Sequence, residues 1–318
     1  MRRIKVAAAQ LGPIHRHTER KETVTRILHL LDDAAKQGAT MVLFPELAFT
    51  TFFPRHLLSP EELDSFFLHG DLAEEPSLQA VINHAKVLQV DVCIGFAEHT
   101  TGNQYFNSCV YASNGRIVSK YRKVHLPGTF EPYSAPDAVH HLEKRYFTPG
   151  DLGFKAFAAQ EAVVGMMVCN DRRWPEAWRV LALQGTEVVL CGYNTAGYAP
   201  DLWGSSKEQT VAEAAKEAMF HHKLVMQANS YMNATWSVCA ARCGWDDDKY
   251  MMIQGSMIIS PQGVIVAESA TMGDEVVVAD IDLHACEQGK TKTFDFARHR
   301  RTEAYGLITS QTGVVNVQ

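Results

Sequence analysis

Short apolar runs separated by polar or glycine-containing turns recur along the chain, and most are four to seven residues long. Runs of that length are typical of strands buried in a sheet. Two of them flank Ser113-Asn114-Gly115, a strong hairpin turn signal. The predicted strands span residues 4–9, 41–44, 91–97, 107–112, 116–121, 162–168, 187–192, 224–228, 236–241, 256–260, 264–267 and 275–281.

Other segments place apolar residues three and four positions apart, which is the spacing of an amphipathic helix. The predicted helices span residues 17–36, 76–88, 175–183 and 211–222. Strands and helices alternate at both ends of the chain, with the hairpin in the middle. This order predicts one α/β domain over residues 1–318, with mixed sheets covered by helices.

The last thirty or so residues are polar and partly basic, and they lack a core-forming pattern. We therefore predict that residues 288–318 form a C-terminal tail. The basic run Arg298-His-Arg-Arg301 suggests that this tail packs on a neighbouring subunit.

Composition limits the expected cellular location and the expected classes of binding partner. The 318 residues are 46% hydrophobic and carry a net charge of -6, and no basic stripe interleaved with aromatic residues occurs. Nucleic acid is therefore not an expected partner. The seven cysteines form no CxxC pair, which favours reduced thiols and a cytoplasmic location. No apolar run approaches the roughly 20 residues of a membrane-spanning helix, so a membrane is not an expected partner either.

The first candidate for chemistry is Cys169, in the stretch VVGMMVCNDRRWPEAW. It ends a predicted strand and precedes a predicted helix. Such a strand-turn-helix geometry lifts a side chain out of the sheet and directs backbone N–H groups, here that of Asn170, at whatever the side chain attacks. Most cysteines are simply core residues, so this position alone does not decide the matter.

Two other strand ends carry complementary groups. Glu46 lies just past the predicted strand 41–44, after Pro45, although it could equally be an ordinary turn carboxylate. A lysine in the segment 120–128 could point inward, although this basic segment could also be a solvated edge. A carboxylate can take a thiol proton, and an ammonium group can stabilise an oxyanion. Together with Cys169 these groups would make a complete set for attack on a carbonyl or nitrile carbon.

Three blocks carry a family resemblance: FPEL (44–47), YRKVHL (121–126) and VCNDR (168–172). They resemble the signature blocks of the nitrilase superfamily of carbon–nitrogen hydrolases, in the same order along the chain. The resemblance implies an αββα sandwich of four layers and a catalytic triad of Glu46, Lys123 and Cys169. It also implies homodimers or homotetramers, and we expect no cofactor and no catalytic metal.

A finer resemblance concerns the run CNDRRWPE (169–176) and the segments 45–55, 141–150 and 192–195. These are similar to N-carbamoyl-D-amino acid amidohydrolases, which release a D-amino acid, ammonia and carbon dioxide through a covalent cysteine intermediate. This resemblance alone implies selectivity for the D-isomer. It further implies supporting or binding roles for a larger set of residues: Glu143, Asn170, His125, His141, one of His221 and His222, Arg172, Arg173 and Asn194.

A role for the arginine pair, Arg172 and Arg173, in substrate binding also has a physical reason that does not depend on the resemblance. A carbamoyl amino acid offers a ureido carbon for attack and a carboxylate for binding, and a guanidinium group matches a carboxylate with two parallel hydrogen bonds. We therefore expect Arg172 or Arg173 to hold the small-molecule substrate, one of them most directly. The alternative is that both arginines pair with local acids such as Asp171 and Glu176.

Three other functions are compatible with parts of the sequence. A metal-dependent amidohydrolase would need clustered histidines, for which His15-Arg16-His17 is the candidate. A β-ureidopropionase, an aliphatic amidase or a nitrilase would keep the same chemistry and change the substrate. A non-catalytic interaction module would be expected to have lost a member of the triad.

Overall fold

The computed structural model describes residues 2–135, 138–201 and 208–316. The strands are β1 (Arg3–Gln10), β2 (Met41–Leu43), β3 (Leu68–His69), β4 (Asp91–His99), β5 (Tyr105–Ser113), β6 (Arg116–Arg122), β7 (Ala156–Ala159), β8 (Ala162–Val168), β9 (Val188–Tyr193), β10 (Trp236–Ala241), β11 (Cys243–Asp246), β12 (Tyr250–Ile253), β13 (Met257–Ile259), β14 (Ile265–Glu268) and β15 (Glu275–Asp282). The helices are α1 (Arg20–Lys36), α2 (Pro60–Ser65), α3 (Pro76–Leu88), α4 (Glu143–Tyr146), α5 (Pro175–Leu183), α6 (Val211–Asn233), α7 (Ala285–Gln288), α8 (Phe296–His299) and α9 (Gly306–Ser310).

The longer strands form two mixed sheets. The first has the order β15-β1-β2-β4-β5-β6, with β3 paired to β4, and the second has the order β14-β13-β10-β9-β8-β7. In the first sheet β2 runs parallel to both β1 and β4, and in the second β9 runs parallel to both β8 and β10. The remaining strands, β11 and β12, form a separate hairpin.

Side-chain alternation along β1 shows why the sheets stack. Val6 and Ala8 belong to the core between the two sheets, whereas Ala7 and Ala9 face the helices α1 and α3. Successive side chains of a strand point to opposite faces, so a strand that is apolar at every position must be covered on both sides. On the far side of the second sheet, α5 and α6 supply the covering layer. The predicted α/β sandwich, with two mixed sheets flanked by helices, is confirmed.

The predicted strand 224–228 is wrong. The predicted helix 211–222 and strand 224–228 are a single helix, α6, that continues to Asn233. Its buried face runs through His222, Met226, Asn229 and Asn233, which keeps helical spacing across the supposed break. No glycine or proline lies between residues 211 and 233 to end the helix earlier.

The C-terminal segment begins against the body of the chain and ends exposed. Phe294 packs edge-on against Tyr231 of α6, and the Arg179 guanidinium of α5 lies over the Phe296 ring. Residues 301–316 are exposed throughout. Packing of the 288–318 tail on a neighbouring subunit stays a prediction, and residues 317–318 lie outside the described residues.

Candidate active site

Glu46 lies on a tight turn that is wedged between the two sheets. The turn follows β2, and Leu47 continues it with a φ of 47°. Gly95 of β4 and Gly192 of β9 lie on either side, and a Cβ at either position would come within 2.7 Å of the turn backbone. Since only glycine permits so close an approach, these two residues let both sheets close around Glu46.

Lys123 follows β6 and is buried beside two carboxylates. Its Nζ lies 2.7 Å from Glu46 Oε1 and 2.5 Å from Glu143 Oε2. Glu143 opens the short helix α4, and its other oxygen lies 3.0 Å from His141 Nε2. The structure therefore brings together one lysine and both of the glutamates named from the sequence.

Cys169 directly follows β8 and begins a 3₁₀ turn, Cys169–Arg173, with a left-handed φ of 47°. Asp171 holds this turn in place, since its carboxylate accepts from Val168 N at 3.1 Å and from the Tyr121 hydroxyl at 2.7 Å. The same carboxylate accepts from His125 N and lies 2.8 Å from His125 Nδ1. A non-glycine residue at positive φ is strained, and such strain often occurs where a nucleophile must project from a sheet.

Asn194, directly after β9, links the thiol to the carboxylate. Cys169 Sγ donates to Asn194 O at 3.2 Å, and Asn194 N donates to Glu46 Oε2 at 2.9 Å. The Asn194 side-chain amide donates to Glu46 O. Within the part of the chain that the structure describes, Asn194 Oδ1 is buried and has no hydrogen-bond partner. It is thus an unsatisfied buried acceptor, which is unusual because most buried polar atoms have a hydrogen-bond partner.

The pKa values of the two buried glutamates, Glu46 and Glu143, are shifted in opposite directions. Burial raises the pKa of Glu46; Lys123 lowers it in part, and Glu143 adds to the rise. Burial acts on Glu143 in the same sense, but Lys123 and His141 outweigh it and lower the pKa of Glu143. Burial alone would lower the pKa of Lys123, yet the anionic groups around it raise that pKa. Glu143 and Lys123 thus stay charged while Glu46 holds a proton more readily, which is the condition for a general base.

The thiol itself is not ionised by its surroundings. Burial raises the pKa of Cys169 and Glu46 adds to the rise, although Lys123 and Arg172 act in the opposite direction. A protonated thiol of this kind needs a base to become a nucleophile. Glu46 is the candidate base, because its carboxylate and the thiol are both hydrogen-bonded to the backbone of Asn194.

The two arginines occupy different environments. Arg172 is fully buried, donates to Cys169 O at 2.8 Å and to Thr195 Oγ1 at 2.9 Å, and lies 4.4 Å from the Tyr193 ring centroid. Arg173 is exposed and donates to Asn170 Oδ1 at 3.1 Å. The adjacent Arg172 cation lowers the pKa of Arg173 to about 10, so both remain cations at neutral pH.

Those contacts separate the two interpretations of the arginine pair. Asp171 is occupied by Tyr121 and His125, and the described residues show no ion pair between either arginine and Asp171 or Glu176. The Arg172 guanidinium is hydrogen-bonded to protein groups around Cys169. The Arg173 guanidinium is the exposed cation next to Arg172.

The two adjacent histidines on α6, His221 and His222, also lie in different environments. His222 is buried, and its Nδ1 accepts from Arg172 Nε at 3.2 Å, whereas His221 is exposed. Burial and the Arg172 charge lower the pKa of His222 well below its ordinary value. His222 is therefore a neutral acceptor that positions Arg172.

Sequence reasoning missed two contributors. Asn107 of β5 donates to Glu46 Oε1 at 2.7 Å, and Thr195 accepts from Arg172. An asparagine inside an apolar strand was a usable signal, because a buried polar side chain needs a partner. Asn170 lies where it was expected, beside Cys169, and its amide donates to His125 O at 3.1 Å.

The histidines of the metal-hydrolase alternative lie elsewhere. His15 Nδ1 accepts from Asp247 N at 2.8 Å, so this ring serves a loop contact. In residues 2–135, 138–201 and 208–316, the grouped His and acidic side chains that could hold a metal do not include His15 or His17. Nor does that part of the chain contain a helix of the length and apolarity that a bilayer requires.

Comparison with solved structures gives the class of fold. The chain is similar to a carbon-nitrogen hydrolase from Helicobacter pylori G27, with a TM-score of 0.79 and 25% identity over 98% of this chain and 99% of that one. It is also similar to a member of branch 10 of the nitrilase superfamily from Saccharomyces cerevisiae, with a TM-score of 0.74 and 19% identity over 94% and 97% of the two chains. The second likeness shows the fold alone.

Residues 5–291 match the carbon-nitrogen hydrolase family, so the chain belongs to that family and is an amide-cleaving enzyme of the nitrilase superfamily. Among its relatives, an N-carbamoylputrescine amidase of Oryza sativa is 27% identical over 98% of this chain and 96% of its own. A citrullinase of Francisella tularensis is 29% identical over 97% and 99%.

Proposed function

We propose that this protein hydrolyses the carbamoyl amide bond of N-carbamoyl-D-amino acids to give the D-amino acid, ammonia and carbon dioxide. One observation carries the proposal: an exposed guanidinium, Arg173, follows the buried nucleophile by four residues while Arg172 is fixed beside the thiol. A substrate with a ureido carbon at one end and a carboxylate at the other matches this pair of groups. Selectivity for the D-isomer rests on the sequence resemblance.

The proposed reaction begins with proton transfer from Cys169 Sγ to the Glu46 carboxylate. The thiolate attacks the ureido carbonyl carbon, and the oxyanion that forms is stabilised by Lys123 and by the Asn170 backbone N–H. Protonated Glu46 then gives its proton to the departing nitrogen as the C–N bond breaks. Water, deprotonated by Glu46, attacks the thioester-like intermediate, the C–S bond breaks, and Glu46 returns the proton to the sulfur. The carbamic acid released in this step loses carbon dioxide, which breaks the second C–N bond and completes the three products.

In this scheme Glu143 is a fixed anion rather than a second base. Its charge keeps Lys123 protonated and 2.5 Å away, so that the ammonium group is already in place when the oxyanion forms. Such preorganised charge is effective in a buried site because little reorganisation is needed during the reaction. His141 holds Glu143 from the other side.

The names of two relatives, an N-carbamoylputrescine amidase and a citrullinase, support a substrate that carries a carbamoyl group. They do not determine the rest of the substrate. N-carbamoylputrescine carries a carbamoyl group and a remote amine, and an exposed arginine beside the nucleophile disfavours a second cation. A carboxylate-bearing carbamoyl compound suits this site better. The nearest alternative, a β-ureidopropionase, would use the same Arg173 contact for a carboxylate one carbon further away.

The test is a substrate panel with ammonia release as the readout. We expect turnover of an N-carbamoyl-D-amino acid to exceed that of β-ureidopropionate, N-carbamoylputrescine and a simple aliphatic amide. Preference for β-ureidopropionate would favour the alternative, and preference for N-carbamoylputrescine or the plain amide would contradict a carboxylate clamp. The Cys169→Ala variant is the blank for every substrate.

We also propose a homodimer or homotetramer in a cytoplasmic setting. Val180 and Leu183 of α5 and Phe220 and Leu224 of α6 are exposed apolar side chains, which supports a covered helix face. All seven cysteines are free and buried, which suits a reducing compartment. Light scattering of the purified chain, with and without residues 301–318, tests the assembly and the role of the tail.

A further inference from the structure

A cluster of three metal-ligating side chains lies at the end of β4, away from the triad. Asp64 comes from α2, His69 from β3 and His99 from the last position of β4. The parallel pairing of β3 with β4 places His69 directly beside His99. Their side chains are 53%, 46% and 18% exposed, so that an ion from solvent can reach all three.

The two imidazole rings present the same atom to each other. His69 Nδ1 lies 3.0 Å from His99 Nδ1, and Asp64 Oδ1 lies 3.6 Å from His99 Nδ1. One ligand atom from each of the three residues lies within 4.8 Å of the other two.

At the far side of each ring, the other nitrogen faces an oxygen atom that accepts hydrogen bonds. His99 Nε2 lies 2.9 Å from Asn103 Oδ1, and His69 Nε2 lies 3.1 Å from the Asp64 backbone oxygen. Both partners are acceptors, so both Nε2 atoms donate. With both Nε2 atoms donating, the lone pairs of both Nδ1 atoms face each other at hydrogen-bond distance, which is the arrangement of two imidazoles that share a cation.

We propose that Asp64, His69 and His99 form a binding site for Zn²⁺. In a tetrahedral zinc site with Zn–N bonds of about 2.05 Å, two ligand nitrogens stand roughly 3.3 Å apart. The distances of 3.0 Å and 3.6 Å around His99 Nδ1 bracket that value. Two imidazoles and a carboxylate are a donor set that suits zinc, and the exposed side leaves the fourth position to water.

The site is structural in this proposal. His99 lies four residues along β4 from Gly95, which packs against the Glu46 turn, so the strand separates the two places by roughly 13 Å. The ion would join α2 and β3 to the end of β4. Zinc would therefore raise thermal stability without entering the amide chemistry.

The experiment is a calorimetric titration of the chelator-treated, dialysed full chain with ZnCl₂. We expect one Zn²⁺ per chain in the wild type, at least tenfold weaker binding in His69→Gln, and weaker binding in Asp64→Asn. The matched control is His84→Gln, because His84 forms a surface pair with Asp32 at 2.7 Å that has no third ligand among the described residues. This control is expected to bind zinc like the wild type.

Two further readouts distinguish this site from the thiols and from unfolding. Zn²⁺ at one hundred times its dissociation constant should raise the Tm of the wild type by about 4 °C and leave that of His69→Gln unchanged. Co²⁺ in place of zinc should give a visible spectrum without thiolate charge transfer. Absence of zinc binding in the wild type would overturn the proposal in favour of a proton shared by the two rings, and binding that survives His69→Gln would also overturn it.

Discussion

Glu46 and Cys169 are joined through opposite backbone groups of one residue: Asn194 donates its N–H to Glu46 Oε2 at 2.9 Å and accepts from Cys169 Sγ at 3.2 Å. Because Asn194 directly follows β9, the carboxylate from the first sheet and the thiol from the second are set against a strand end that belongs to the sandwich itself. The geometry of the proposed base and nucleophile thus depends on how the two sheets pack.

The first prediction concerns the nucleophile. Cys169→Ala should reduce ammonia release to less than about a thousandth of the wild-type rate, since the covalent intermediate forms on the thiol that this change removes. The Tm should change little, because the removed sulfur is one small atom in a site held by Asp171. Steady-state assay and thermal melting check both parts, and full activity in this variant would refute the mechanism.

The second prediction concerns the acid limb of the pH profile. Burial raises the pKa of Glu46 above the ordinary glutamate value of 4.5. A base must be ionised to act, so kcat/KM should fall as pH decreases through a midpoint above 4.5 and recover above it. Glu143→Gln should move that midpoint to lower pH, because it removes a neighbouring negative charge. A wild-type midpoint at or below 4.5 would be inconsistent with Glu46 as the base.

The third prediction concerns the glycine that admits the Glu46 turn. A Cβ on Gly192 would lie 2.7 Å from Phe44 O and 2.9 Å from Glu46 N, so Gly192→Ala must push the turn away from β9. We expect at least a tenfold loss of kcat and a destabilisation of about 1–3 kcal/mol. Gly273→Ala is the control, since apart from its two chain neighbours none of the described residues has an atom within 4 Å of the place a Cβ would take there, and its φ lies outside the left-handed region. Equal effects of the two substitutions would remove the steric explanation.

The fourth prediction separates the two arginines. Arg172→Ala strips partners from His222 and Thr195 in a fully buried position, so it should lower the free energy of unfolding by about 2–4 kcal/mol and abolish activity. Arg173→Ala removes an exposed side chain and should leave the Tm within about 1 °C of the wild type. Chemical denaturation of both variants is the measurement. A large stability loss in Arg173→Ala would assign that residue to the structure instead of the substrate.

Local signals explain why several elements could be predicted from sequence. Pro76 and Pro175 mark helix starts that the structure reproduces, and the apolar run 162–168 has the same bounds as β8. The strand prediction for 224–228 is wrong because a short, mainly apolar run such as LVMQA looks alike in a strand and in a half-buried helix. Packing against the second sheet decides between them, and a local pattern does not contain that information.

In the candidate site, too, local sequence predicted some features, and others depend on how distant segments pack. Strand ends predicted Glu46 and Cys169 as site residues, because the sites of α/β proteins gather at the carboxyl ends of strands. That these two strands belong to different sheets was not predicted. The burial of Arg172, and of His222 but not His221, depends on the long helix α6, whose length was not predicted. The close approach of Gly95 and Gly192 to the Glu46 turn depends on the distance between the sheets, which no single segment encodes.

The most direct test of the central claim is ammonia release from matched N-carbamoyl-D- and N-carbamoyl-L-amino acids, with wild type and Arg173→Ala assayed in parallel. We predict turnover of the D-isomer by the wild type, little turnover of the L-isomer, and a loss in Arg173→Ala that falls mainly on KM. No release from either isomer, together with release from simple amides or nitriles, would contradict the claim. The cysteine chemistry would then stand, and the arginine pair would have no role in substrate binding.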